Sequence, residues 1–320
     1  VEYWGIVASV FTAFCWSVTS ICFSRAGMRI GSMKVNQIRI FFAVIFLAAT
    51  HLFYFKTVWT SVSGAQYGYL AMSGFVGLFL GDICYFASLV ISGPKRAAVM
   101  MTISPAAAAV LAWVLIGESI SVLETAGMLV TIIGIALTVS GRTGSSASVA
   151  PAGRVMFGVV LGILGGIGQG AGMVLAKIGL TTLDPAGAVV SEVNPLAGTL
   201  IRMTTASAML WLMALGQEIR ASAKTAPSPL RTALRDRKAL LLALCGAALG
   251  PFLGVWSSLF AVKHVDVAVA STIMAAFPIL VIPQMFIYFG EKPGVKEVLG
   301  AIAAVGGIAV MLLGPKLFVF

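Results

Sequence analysis

From Tyr67 to Val90 the chain holds a single carboxylate, Asp82, in the stretch Leu80-Gly81-Asp82-Ile83-Cys84-Tyr85-Phe86. Burying an acid in an apolar helix costs at least about 2.5–3.5 kcal/mol on insertion scales, so such a group faces a cavity or a partner. Three chemistries suit it. It can accept and release a proton, balance a cationic ligand, or pair with Arg39 or Arg202, which also lie inside apolar runs. Tyr85 follows three residues later and shares its helical face.

Other side chains placed mid-run as candidates to line a cavity are Trp16, Ser20, Met101, Thr102, Gln169, Trp256, Ser257, Met274 and Gln284. Gln169 is the most informative, because its amide sits among glycines that cannot satisfy it. Aromatic and methionine walls with few polar groups suit amphipathic ligands. Arg39 and Arg202 hold equivalent places early in two runs. Each can bind an anion, and their pairing favours a structural tie to carbonyls or a carboxylate. Glu118 and Glu291 follow glycines at the ends of two runs, where a carboxylate complements the next helix dipole, as a cap or a gate pin. Glu124 and Glu297 read as helix-face charges. Pro105 and Pro278 each remove a backbone hydrogen bond and predict a kink that rocking can use. His51 and His264 lie far apart, the four cysteines form no CxxC or Cys/His cluster, and no Ser/His/Asp set converges. No catalytic site, metal, disulfide or cofactor is predicted.

The elements that must position these residues follow from composition. Of 320 residues, 59% are hydrophobic and 10% charged, with a mean hydropathy of +1.03. That predicts an all-α polytopic membrane protein. The net charge of +10 does not indicate nucleic acid, because the basic residues lie in short loops, where they orient the chain and meet anionic lipid. The first apolar run lacks a basic leader and reads as a retained helix. Ten runs reach spanning length: 4–23, 35–55, 67–91, 96–116, 121–140, 155–176, 195–215, 239–262, 267–289 and 295–313. Residues 141–153 read as a linker. The longest loop, 216–238, is basic, and Leu230–Arg237 predicts a short amphipathic helix on the membrane surface.

A shift of 173 residues aligns Gly77–Leu137 with the second half without gaps. Gly77-Leu78-Phe79-Leu80-Gly81 falls on Gly250-Pro251-Phe252-Leu253-Gly254, Pro105 on Pro278, Gly117-Glu118 on Gly290-Glu291, Gly127 on Gly300 and Gly134 on Gly307. Asp82 falls on Val255, so the common scaffold does not require the acid. The repeats are 1–140 and 154–320, each with five spans, so the second enters the membrane from the opposite side. Loops after odd-numbered spans carry 15 Lys and Arg, against 4 on the other face. The positive-inside rule then places both termini outside the cytoplasm.

The same residues carry a family resemblance. Pro105, Gly117-Glu118, Gly127 and Gly134-Ile135, matched by Pro278, Gly290-Glu291, Gly300 and Gly307, resemble the EamA-type repeat of the drug/metabolite transporter superfamily. Trp16 and Arg39 fit the same pattern. The resemblance covers nearly the whole chain and implies ten transmembrane helices in two inverted five-helix repeats, moving small metabolites, often outward. Many members have both termini in the cytoplasm, opposite to the charge count. The family also holds sugar-phosphate carriers, yet Lys95-Arg96 and Lys263-His264 sit at helix ends and no phosphate clamp is visible.

The expectation is therefore a secondary transporter in the inner membrane of a prokaryote, not an enzyme. It exports or exchanges small metabolites such as amino acids, amines or aromatic compounds by alternating access around a central cavity. Protons are the candidate coupling ion through Asp82. Two alternatives stay open. A lipid or lipid-carrier flippase of the same fold predicts a lateral opening and a basic rim. A membrane scaffold predicts a filled core with Asp82 locked to an arginine.

Overall fold

The computed structural model describes residues 2–57, 62–92, 94–141, 152–183, 189–223, 229–289 and 293–317. Among them, ten helices are long and apolar enough to cross a membrane: α1 (Glu2–Ile30), α2 (Ser32–Phe55), α3 (Gly64–Ser88), α4 (Val99–Ile116), α5 (Val122–Val139), α6 (Gly153–Leu180), α7 (Pro195–Arg220), α8 (Arg237–His264), α9 (Val267–Gln284) and α10 (Val295–Leu312). A helix satisfies its own backbone polar groups, which is the condition for standing in lipid. Several helices outrun the apolar stretches that announce them. α1 continues past Arg25 to Ile30 and stops at Gly31, whose φ of 83° suits only a residue without a β-carbon.

The halves interlock. α6 packs on α3 and α4 of the first half, and α1 packs on α8 and α9 of the second. The glycines of α6 make this approach close: a β-carbon at Gly168 would stand 3.1 Å from the Gly81 Cα, and one at Gly172 2.8 Å from the Gly77 Cα. α5 and α10 meet about a pseudo-twofold. Gly127 touches Gly307 and Gly134 touches Gly300, so each glycine meets the repeat equivalent of the other. Thr131 donates to the carbonyl of Ala304, its own counterpart at the 173-residue shift, at 3.3 Å.

Three features go beyond the sequence reading. First, α3 and α8 both widen into π-helix, at Gly74–Gly81 and Ala248–Gly254, which coincide under the repeat shift. Second, β1 (Thr181–Leu183) and β2 (Val189–Glu192) form an antiparallel hairpin between α6 and α7. Lys263 at the end of α8 ties to Glu192 at 2.7 Å. Third, the surface helix of the long loop is Pro229–Leu234, shorter than expected. Asp236 accepts from the Ala239 N–H at 3.0 Å and starts α8 at Arg237 instead.

The proline kinks take the form of helix breaks one turn before the ring. The α-helix is interrupted at Thr102, three residues before Pro105, and at Ala276, two before Pro278. The ring removes the N–H that would bond the carbonyl four residues back, so that turn is the weakest in each helix. Glu291 lies outside the described residues.

Candidate functional site

Asp82 stands at the end of the first π-helix, 6% exposed. Its Oδ2 takes an ion pair from the Arg39 Nη2 on α2, and its Oδ1 accepts from the Gln169 Nε2 on α6 at 2.7 Å. Gln169 also donates to the Gly77 carbonyl at 3.1 Å. The π-helix explains that second bond. Widening the turn displaces carbonyls from their usual i+4 donors and leaves them open to side chains, a common arrangement at functional sites. Ser73, just before the widened turn, donates its hydroxyl to the Gly172 carbonyl across the same interface.

Arg39 is held from several directions. Its Nε donates to Asn36 Oδ1 at 2.8 Å, and its guanidinium lies 5.3 Å from the Phe23 ring centroid and 5.5 Å from that of Phe86. Planar stacking of this kind suits a guanidinium more than an ammonium. Of the partners open to Asp82 in the sequence, Arg39 is the one the structure shows. Asn36 was missed, although its spacing of three from Arg39 on one helix was a readable signal. Phe23 and Phe86 carried no such signal, because aromatic residues abound in every span. Tyr85 turns with Asp82 along α3, its ring 5.7 Å from Phe86.

The remaining sequence candidates do not join this cluster. Trp16 lies against Gly254, where a β-carbon would stand 2.9 Å from the indole Nε1, and its ring meets Phe277 edge-on at 6.4 Å. Trp256 packs by Phe252 at 6.0 Å. Both therefore pack beside the second π-helix, the repeat equivalent of the Asp82 region, and surround it with aromatic rings where the first meets polar groups. Gln284 donates from Nε2 to Ser17 on α1 at 2.7 Å. Thr102 spends its hydroxyl on the Val99 carbonyl of its own helix at 2.7 Å, while Met101 is half-buried just before the break. Arg202 is fully buried, and its Nε and Nη1 have no hydrogen-bond partner among the described residues.

Glu118 caps a helix, but not the one expected. It accepts from the Val267 N–H at 2.9 Å, at the start of α9 in the other half, and pairs with Lys177 at the end of α6. Lys177 also donates to the Val265 carbonyl at 3.0 Å. The ends of α4, α6 and α8 and the start of α9 are thus pinned together on the face with few basic residues. Asp266 joins this group. Burial pushes its carboxyl above the usual range, the Glu118 carboxylate adds to the rise, and Lys177 opposes it. On the basic face Arg29 pairs with Asp236 at 2.7 Å, and Lys34 donates to Gln217 at 3.1 Å. Both of these links also join one half to the other.

An opening of about 510 Å³ on the basic face is lined by Arg29, Arg235, Asp236, Arg237 and Lys238. Another of about 540 Å³ lies between α2 and α7, lined by Phe41, Val44, Thr204, Ser207, Ala208 and Trp211. Neither is lined by Asp82. Among the described residues no three His, Cys, Asp or Glu gather to hold a metal, and all four cysteines are free thiols.

A crystal structure of another protein, 17% identical, is similar to this chain with a TM-score of 0.73 over 98% of both chains. At that identity the likeness speaks for the fold alone. No curated protein sequence matches the chain. The model of the EamA-like transporter family matches residues 3–140 and again 156–313, one match for each half. With ten spanning helices in two repeats and a family match over nearly its whole length, the chain belongs to the EamA-like transporter family, and so to the drug/metabolite transporters of the membrane.

Proposed function

We propose that this transporter carries small metabolites by alternating access, with the Arg39–Asp82–Gln169 cluster as the element that couples solute movement to protons. The observation behind this reading is the origin of the three side chains. Arg39 and Asp82 come from the first half, Gln169 from the second. A motion that shifts α6 against α3 breaks the Gln169 contact, and the carboxylate then loses one of its two partners. A carboxylate that loses compensation in a dry site takes up a proton, and one that regains it releases the proton. The helix breaks before Pro105 and Pro278 supply bending points, and the contacts around Glu118 and Lys177 join helix ends on the less basic face. Two similar halves of opposite orientation give the two facing states comparable energies, as alternation needs.

Substrates of this reading are amino acids, amines or aromatic compounds, and flux is outward or by exchange. The basic face lies toward the cytoplasm by the positive-inside rule, in the inner membrane of a prokaryote. The test is exchange in vesicles containing the purified chain. Vesicles loaded with one unlabelled solute are given trace labelled solute outside, across an amino-acid and amine panel. Saturable uptake that depends on the internal load supports a carrier, and its absence for every solute counts against one.

A specific observation keeps the flippase reading as second. The opening between α2 and α7 is apolar and lateral, with the Trp211 Nε1 buried and without a hydrogen-bond partner among the described residues. Scrambling of a labelled lipid in the same vesicles, blocked by Ala208→Trp in that groove, would favour it over solute exchange.

A further inference from the structure

The two repeat-equivalent arginines have different fates. Arg39 is satisfied by Asp82 and Asn36, between two aromatic rings. Arg202 is 1% exposed, with Nε and Nη1 buried and unpartnered among the described residues. Its backbone crosses α3 at Gly74, where a β-carbon would stand 2.3 Å from the Arg202 carbonyl oxygen. Its Nη2 lies 3.8 Å from where a β-carbon would stand at Gly77. The guanidinium therefore reaches along α3 toward the level of Asp82, into the middle of the protein.

The level of Arg202 along α8 follows from the packing of α7 on that helix. These helices run antiparallel, and a β-carbon at Gly198 would stand 3.3 Å from the Leu259 Cδ2. One turn onward along α7 is Arg202, and one turn back along α8 is Val255. Val255 is the repeat equivalent of Asp82. The second half thus keeps the cation and has an aliphatic side chain where the first half has the anion. Val255, Leu200 and Met203 all belong to the main apolar core.

Arginine does not shed its charge in a protein, and it offers a planar fork of donors matched to an oxyanion. A buried cation inside the bilayer marks a solute or ion pathway when no internal partner balances it. Arg39, Asp82 and Arg202 sum to one positive charge. We infer that Arg202 is a recognition site for an oxyanion group of the carried solute, a carboxylate, seated opposite Val255 as Asp82 is seated beside Arg39. One uncompensated charge matches a monoanionic carboxylate better than a phosphate dianion. The inference rests on the carrier reading above and names the substrate class for it: carboxylates, amino acids included, and not simple amines.

The experiment uses the full chain in lipid nanodiscs, scored by its unfolding midpoint and by equilibrium binding. The probes are phenylalanine, 3-phenylpropionate, phenethylamine and inorganic phosphate, at millimolar concentration. The two carboxylates raise the midpoint by mass action and phenethylamine does not. Arg202→Gln weakens carboxylate binding by about 10- to 100-fold, as expected for losing a charged hydrogen-bond partner, and Arg202→Lys retains part of it. Val255→Asp keeps the arginine and supplies an internal anion. It raises the midpoint without ligand and abolishes the carboxylate response. This variant decides the matter even if Arg202→Gln fails to fold. Phosphate binding with Arg202 dependence, in place of carboxylate binding, overturns the carboxylate assignment. The inference is overturned if phenethylamine stabilises as well as the carboxylates, if no anion stabilises the wild type, or if Val255→Asp leaves anion binding intact. Vesicle exchange is scored separately. Exchange without Arg202 dependence removes this site but leaves the carrier, whereas no exchange of any solute removes the carrier.

Discussion

Replacing Asp82 by leucine lowers the unfolding free energy by about 3–5 kcal/mol, and replacing Arg39 by methionine in the same chain returns most of that loss. The asymmetry comes from burial. Side-chain exposure is 8% for Asp82 and 16% for Arg39, so removing the acid strands a guanidinium that cannot neutralise itself. It also leaves the Gln169 amide with only the Gly77 carbonyl. The double variant removes both charges and fills the space with apolar volume. Arg39→Met alone costs less than Asp82→Leu, because a carboxylate escapes its stranding by taking up a proton. Midpoints of the three variants in one detergent, compared by double-mutant cycle, give the coupling directly. A cycle that closes to zero means that the two residues do not stabilise each other.

The second large effect falls on the crossing of α5 and α10. Gly134→Leu costs about 3 kcal/mol or more, at or beyond the upper end of core overpacking. A β-carbon at Gly134 meets the Ala304 N at 2.4 Å and the Gly300 O at 2.6 Å. Both are backbone atoms and cannot swing aside as a side chain does. The helices must separate, and the Thr131 and Thr138 hydroxyls then lose the bonds they make across the crossing, to the Ala304 and Glu297 carbonyls. Gly300→Leu has the same effect for the same reason, since its β-carbon would stand 2.6 Å from the Gly134 O. Gly306, in the same helix with open space around its β-carbon position, is the control. Gly306→Ala shifts stability by no more than about 1 kcal/mol, toward gain if anything. Equal losses at Gly134 and Gly306 would show that the contact does not hold the halves together.

These two sites differ in how far the sequence foretold them. The glycines of α5 and α10 were visible as a repeat, because Gly127 and Gly134 recur as Gly300 and Gly307 at one shift. That they meet each other crosswise was not visible, because a repeat shows equivalence and not contact. Asp82 announced itself by cost alone. Its Arg39 partner was one of two arginines on offer, and its Gln169 partner was marked only as an amide short of local acceptors. The π-helices left no mark that periodicity can show. One extra residue in a turn leaves an all-apolar run all apolar, even with Pro251 standing inside the second. Glu118 was read as a helix cap from its place after a glycine, and it is one. Its helix lies in the other half because capping needs a nearby N-terminus in space, not in sequence. The hairpin strands Thr181–Leu183 and Val189–Glu192 carry no clear sequence signal, because their β-branched residues sit in two very short runs.

The measurement that tests the coupling most directly is proton movement driven by solute. Vesicles holding a pH-sensitive dye and the purified wild type are given a solute that exchanges, with no pH gradient imposed, and Asp82→Asn is run beside it. The coupled carrier predicts a pH change inside wild-type vesicles that follows the solute gradient. Asp82→Asn keeps exchange between equal solute pools but moves no protons. An Asp82→Asn protein that moves protons with solute as the wild type does would contradict the assignment, and would leave Asp82 as a static partner of Arg39.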